Sequence, residues 1–232
     1  MPVILENHKI AFFNVPKAAS TSVKHAFHVV LYGKPYDPAD YGGRNIHKLY
    51  KVKIPVTRED IEALHGYWKF TIVRDPAKRI LSAYSNRVLH HRDMQKMPRA
   101  RLRAAMRGLS LTPSIDVFLR KLEKYRAFSH SIRSHTDPVS TYVGPDLALL
   151  DAVYRTDELP RLAADLSARI GQTVEIPHTQ TGGPKIGVED LGPESFERLM
   201  AYTAPEYDFL DGYYARPVRH ETEMNARVKT PA

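Results

Sequence analysis

Ile10–Phe27, IAFFNVPKAASTSVKHAF, reads as a strand, a small-residue loop and a helix. The apolar run Ile10, Ala11, Phe12, Phe13 and Val15 is cut by Pro16, and Lys17 and the small residues Ala18, Ala19, Ser20, Thr21 and Ser22 come next. Val23, Ala26, Phe27, Val30 and Leu31 then recur at helical spacing and make one apolar stripe. A helix starting near Ser20 to Ser22 aims its first, unpaired N–H groups back at the loop, where its dipole adds partial positive charge and Lys17 a full one. That combination is a seat for a phosphate. Small side chains let the backbone approach an anion closely, and the Ser20, Thr21 and Ser22 hydroxyls supply further donors. Taken alone, the same residues also describe an ordinary strand-to-helix turn with a Ser/Thr cap. No glycine lies between Ile10 and Tyr32 and the lysine precedes the small residues, so this is not the nucleotide-triphosphatase loop.

A second stretch repeats the arrangement. Trp68–Val73 is a β-rich run ending in Arg74-Asp75-Pro76, after which Ala77–Leu89 is expected to be helical, with Ile80, Leu81, Tyr84 and Val88 as its buried stripe. Arg74 again puts a positive charge at a strand's carboxyl end beside a helix start. With Ser82, one or two turns into that helix, it can hold one phosphate by a two-pronged contact.

These two stretches resemble the sulfotransferases that use 3′-phosphoadenosine 5′-phosphosulfate (PAPS), specifically their membrane-type carbohydrate branch. Val15 to Ser22 looks like that family's 5′-phosphosulfate loop. Phe70 to Pro76, with Arg79, Ser82, Ala83 and Tyr84, looks like its 3′-phosphate motif. The resemblance weakens beyond. Ser134 to Pro138 is similar to a His-Trp-x-Pro-Gln segment, with Thr136 and Val139 departing from it. Tyr154 to Leu159 and Tyr207 to Tyr213 look like later family segments. The resemblance implies an α/β fold with a P-loop-like parallel sheet flanked by helices, PAPS as donor, adenosine 3′,5′-bisphosphate as product and no metal. It implies a carbohydrate or other hydroxyl acceptor, acidic ones included. Pro16, Lys17, Ala18, Ala19, Ser20, Thr21, Ser22, Arg74 and Ser82 would contact the donor.

Composition agrees with a globular protein of one domain. The chain has 232 residues, 43% of them hydrophobic, and no run of apolar residues long enough to cross a membrane. The expectation is one domain over residues 1–215, a polar tail over 216–232, and a cytoplasmic setting, because the N-terminus lacks a signal-peptide pattern. The absence of cysteine fits a reducing compartment and rules out disulfides and thiol chemistry. A formal net charge of +8 favours anionic partners, a bisphosphate nucleotide, an acidic glycan and nucleic acid alike.

Elsewhere the pattern is coarser. Lys34–Arg44 reads as loop, Asn45–Tyr50 as a short strand or helix start, and Arg58–His65 as a helix with a Thr57/Asp60 capping box and Gly66 at its end. His90–Gly108 is the most basic segment, with a helix after Pro98 whose thin apolar stripe is Leu102 and Met106. It is either a solvated face or a wall that attracts an acidic acceptor. Thr112-Pro113 opens a helix that buries Ile115, Phe118, Leu119 and Leu122. Leu149–Tyr154 and Thr173–Ile176 are strand candidates, Leu159–Ile170 is a helix, Thr179–Lys185 a loop, and a last helical hairpin starts at Pro193.

Sulfuryl transfer builds negative charge on the departing phosphate, and Lys17 is placed to meet it. The acceptor needs a base. Among eleven histidines, His47 comes after the first helix and loop, and His135 lies in the His-Trp-like segment; both are candidates, while His25, His28 and His65 are expected on helix surfaces. Arg79 is expected to pair with an acid or to cap the site's edge, and Tyr84 to be core. The rivals are a basic nucleic-acid-binding protein, supported only by charge, and a small-molecule kinase, opposed by the missing glycines.

Overall fold

A computed structural model describes residues 2–50, 52–177 and 182–219. The chain builds a four-stranded sheet in the order β1 (Val3–Leu5), β2 (Ile10–Phe13), β3 (Trp68–Val73) and β4 (Ala152–Arg155). β2, β3 and β4 are parallel, with Phe12 opposite Phe70 and Ile72 opposite Tyr154. Parallel strands are covered on both faces, which is why β2 is a continuous apolar run, fully buried from Ile10 to Phe13. Phe12 stacks on Phe70 at 5.0 Å between ring centroids, and Trp68 on Phe70 at 4.7 Å.

Among the described residues three α-helices carry the chain from β2 to β3: α1 (Ser20–Tyr32), α2 (Ile46–Leu49) and α3 (Arg58–Glu62). Six more run from β3 to β4: α4 (Pro76–Ala83), α5 (Ala100–Ala105), α6 (Ile115–Arg120), α7 (Leu122–Phe128), α8 (His130–Thr136) and α9 (Ser140–Val143). α10 (Leu159–Ile170) and α11 (Pro193–Phe209) come after β4. A first buried cluster surrounds the sheet with α1 and α10. A second lies among α4, α6, α7, α8 and α11. Arg79 on α4 joins this second layer together. It is fully buried, pairs with Glu206 of α11 through Nε at 2.9 Å and Nη2 at 2.7 Å, and donates to the carbonyls of His135 and Asp137. Tyr84 is core, its hydroxyl satisfied by the Pro113 carbonyl at 2.8 Å.

Several elements differ from expectation. β1 has no counterpart in the sequence pattern; it is an antiparallel edge strand on an otherwise parallel sheet. The helix expected over Ala77–Leu89 is α-helical only to Ala83 and then widens into a π-helix, Tyr84–His90. There the His91 N–H reaches the Asn86 carbonyl at 2.9 Å. The Thr57/Asp60 capping box is present, but its helix stops at Glu62. β4 starts only at Ala152, because a 3-10 turn at Leu147–Leu149, capped by Asp146, occupies the start of the expected strand. Thr173–Ile176 is irregular. The hairpin after Pro193 is the single helix α11. On α5 the buried residues are Ala100 and Ala104, while Leu102 and Met106 face solvent. Of the expected loop at Thr179–Lys185 and tail at 216–232, residues 179–181 and 220–232 lie outside the described residues.

Candidate active site

The site begins where β2 ends. After Val15 and Pro16 the backbone enters the left-handed region at Lys17 (φ 67°), and again at Ala19 (φ 53°). Non-glycine residues there carry strain of about 1 kcal/mol or more each, held in place by their surroundings. Ala18 between them is fully buried, and Thr71 of β3 donates its hydroxyl hydrogen to the Phe13 carbonyl at 2.8 Å. The loop is therefore fixed against the neighbouring strand. α1 starts from Ala19 with no side-chain cap, so its first N–H groups are left for a ligand or water.

β3 lies beside β2, and its carboxyl end delivers Arg74 to the same place. Arg74 Nη1 donates to the Lys17 carbonyl at 3.2 Å. Asp75 caps α4 by accepting the Lys78 N–H at 2.8 Å, and its other oxygen accepts the Tyr207 hydroxyl at 3.1 Å. Burial first, then the charges of Arg87 and Arg74, push the Lys17 ammonium down to about 8. No carboxylate pairs with Lys17 among the described residues.

Arg87, on the π-helix, is the cation common to the site: its charge acts on Lys17, His47 and His135. It pairs with Asp93 at 3.5 Å, yet its Nε is buried without a partner, as are Asn86 Oδ1 and Asn14 Oδ1. Buried polar atoms are seldom left unpaired, which sets these three apart. Ser82 is half-buried.

His47 is placed by α2, whose Asn45 cap accepts the His47 N–H at 2.8 Å. Its Nε2 lies 3.1 Å from Thr21 Oγ1, and its Nδ1 3.2 Å from Lys24 Nζ. His47 is open to solvent, while surrounding protein atoms crowd its ring, and that crowding, with Lys24, Arg87 and His25, pushes its pKa down to about 4. Lys24 is only 2% exposed, and burial lowers it to about 8. His135 is half-buried on α8 and donates its Nδ1 hydrogen to the Ser131 carbonyl at 2.7 Å, which leaves Nε2 as the acceptor. Burial and then Arg87 lower it to about 3, with a smaller contribution from Lys17.

Of the residues singled out by sequence, the structure brings Lys17, Thr21, Arg74 and His47 into one group, and His135 within the field of Lys17 and Arg87. Ser20 and Ser22 have buried side chains, and Pro16 and Ala19 are half-buried. His28 is not on a helix surface. It is fully buried and joins Tyr41 Oη at 2.8 Å and the Lys34 carbonyl at 3.0 Å, which holds the 34–44 loop down on α1. Sequence reasoning misses Lys24, Arg87 and Asn86. Lys24 has a signal, since it falls one helical turn beyond Thr21 on the same face. Arg87 has none, because its direction depends on the π-helix.

The 182–187 segment lies against that π-helix. Ser85 donates to the Pro184 carbonyl at 2.5 Å, and Gly183 has φ 90°. A Cβ at Gly183 would lie 2.5 Å from Ser85 Oγ and 2.7 Å from the Ser85 carbonyl oxygen. Gly183→Ala is therefore expected to lower stability by about 1–3 kcal/mol, through overpacking and a strained backbone together. Thermal unfolding checks this, and an unchanged melting temperature would show that the segment does not depend on this approach.

The family model described as Sulfotransferase family matches residues 2–181. The chain is 30% identical over 93 residues to carbohydrate sulfotransferase 10 of Xenopus laevis, covering 38% of this chain and 26% of that protein. It is 34% identical over 92 residues to carbohydrate sulfotransferase 11 of Rattus norvegicus and to that of Mus musculus, covering 37% of this chain and 25% of each. The chain thus spans about a quarter of the length of these curated relatives. No solved structure matches it.

Proposed function

The chain belongs to the sulfotransferase family, and on that premise we propose that it moves a sulfuryl group from PAPS to a hydroxyl or amine of a carbohydrate or glycan-like acceptor. The observation that carries this reading is the contact between the two cationic loops, Arg74 Nη1 to the Lys17 carbonyl at 3.2 Å. Adjacent parallel strands end side by side, and ligands of open α/β sheets lie outside those carboxyl ends. One nucleotide with phosphates at both ends fits such a pair of loops. Pro16 to Ser22 would hold its 5′ end, and Arg74 and Ser82 its 3′-phosphate. The unpaired Lys17 and the orphaned Arg87 Nε support an anionic occupant.

Bound there, the donor would supply the sulfuryl group and a phosphate leaving group, and the protein's own residues do the rest. Lys17 and the α1 N–H groups meet charge growing on the departing phosphate, by the same logic as an oxyanion hole. Thr21 adds a hydroxyl donor. His47 takes the acceptor's proton, and His135, neutral and fixed by Ser131, orients the acceptor. Carbohydrate as the acceptor class comes from the relatives' names. An acidic acceptor is favoured by a groove of about 800 Å³ lined by Met97, Arg99, Arg101, Leu102 and Leu111. Among the described residues none of Arg92, Lys96, Arg99, Arg101, Arg103 or Arg107 forms an ion pair.

Thermal shift separates this reading from its rivals. Adenosine 3′,5′-bisphosphate should stabilise the protein saturably, by about 2.7 kcal/mol at a hundredfold excess over its Kd. ATP-Mg and an oligonucleotide should not. Arg74→Ala should abolish most of the bisphosphate effect. Stabilisation by ATP-Mg alone would indicate a kinase, and by the oligonucleotide alone a nucleic-acid-binding protein.

A further inference from the structure

His47 has a proton too few for its surroundings. A neutral imidazole carries one N–H, and both ring nitrogens of His47 are engaged: Nε2 by Thr21 Oγ1 at 3.1 Å and Nδ1 by Lys24 Nζ at 3.2 Å. A lysine ammonium can only donate. If Lys24 is charged, Nδ1 must accept, the single ring hydrogen sits on Nε2, and His47 has no lone pair left on the side of the small-residue loop. If Lys24 is a neutral amine, its lone pair can accept the Nδ1 hydrogen, and Nε2 then presents its own lone pair on that side. Only the second arrangement can take a proton from an acceptor.

Resting on the proposed sulfuryl transfer, we infer that Lys24 is a positioning residue that works as a neutral amine, fixing the base-competent tautomer of His47 and receiving the proton that His47 removes. The acceptor O–H bond breaks as Nε2–H forms, and Nδ1–H breaks as a third Nζ–H forms. His47 ends neutral, Lys24 ends as an ammonium, and the acceptor's freed electron pair makes the new bond to the donor's sulfur while the bond from that sulfur to the phosphate oxygen breaks.

The surroundings favour an uncharged Lys24. It is almost fully buried and forms no ion pair with any described carboxylate. Among the described residues, the charges that act on His47 are those of Lys24, Arg87 and His25, and none is a carboxylate. As an end point for the proton, the amine at about 8 far exceeds the imidazole at about 4.

The test is the pH profile of kcat/KM for sulfuryl transfer from PAPS to a carbohydrate acceptor. In the native protein it should climb with pH to a maximum near 8, as Lys24 becomes neutral, and fall above it as Lys17 loses the charge that the departing phosphate needs. Lys24→Arg, permanently charged, should lose about 10²-fold or more at every pH and lose that climb, with adenosine 3′,5′-bisphosphate affinity unchanged. Lys24→Ala should be partly restored by added ethylamine in proportion to its uncharged fraction. A native profile already flat from pH 6 to 9 would overturn the inference without any variant. So would a Lys24→Arg protein with native rate and profile, or a Lys24→Ala defect that ethylamine leaves unchanged. A native protein that neither binds the bisphosphate nor transfers would overturn the functional reading itself, and this inference with it.

Discussion

Lys17→Ala is expected to lower kcat by about 10²- to 10³-fold, the loss that accompanies removal of one donor aimed at developing charge. The fold should not suffer. Alanine meets the same left-handed backbone that lysine already tolerates at φ 67°, and removing the ammonium relieves repulsion from Arg87 and Arg74. A melting temperature equal to or above that of the native protein, with a large kinetic defect, is the combination that separates a working cation from a structural one. The same residue sets part of the alkaline stability profile. Its pKa falls from 10.5 unfolded to about 8 folded, so between those values the unfolded chain binds more protons and stability rises with pH. In Lys17→Ala that part of the rise should vanish, as pH-dependent unfolding would show. A variant with kcat within threefold of native would remove Lys17 from the chemistry.

The second large effect concerns stability. Glu206→Ala leaves Arg79 buried, charged and without its carboxylate, and breaking such a pair costs about 3–5 kcal/mol. At roughly 2–4 °C per kcal/mol for a chain of this size, the melting temperature should fall by about 6–20 °C. Replacing both partners by apolar residues, Arg79→Met with Glu206→Leu, should recover much of the loss, although the His135 and Asp137 carbonyls that Arg79 also serves would still lack a donor. The double variant should accordingly keep its fold better than its acceptor geometry. A Glu206→Ala protein that melts within a degree or two of native would show that water has replaced the carboxylate.

Both expectations concern residues visible in the sequence, for a common reason. Lys17 and Arg79 sit in stretches where local pattern and tertiary role coincide. A strand ending in Pro, Lys and small residues can do little else than turn into a helix, and the Arg74-Asp75-Pro76 run marks its own strand end and cap. β1 is hidden in the sequence because three residues, Val3–Leu5, are too few to show alternation. The Leu149–Tyr154 run points to a strand that starts three residues early, because apolar spacing does not reveal that Asp146 caps a turn first. His28 looks like a surface residue because the aromatic loop that covers it returns from Tyr36 and Tyr41, and helical periodicity sees only the helix's own side chains. Lys24 draws no notice because a lysine inside an amphipathic helix is ordinarily solvated; its burial depends on α2 arriving with His47.

The widened turn at Tyr84–His90 has a consequence for insertions and deletions. Its bonds span five residues, as between His91 and Asn86, so the chain there holds more residues per revolution than an α-helix does. An ordinary α-helix advances each residue by about 100° and the wide turn by less, so Arg87 points where it does only while the turn stays wide. Deleting Ser85 so that the segment returns to ordinary pitch should therefore re-aim Arg87, although net charge and both phosphate loops stay as they are. The direction of the cation that bears on Lys17, His47 and His135 is thus stored in a residue count rather than in any side chain.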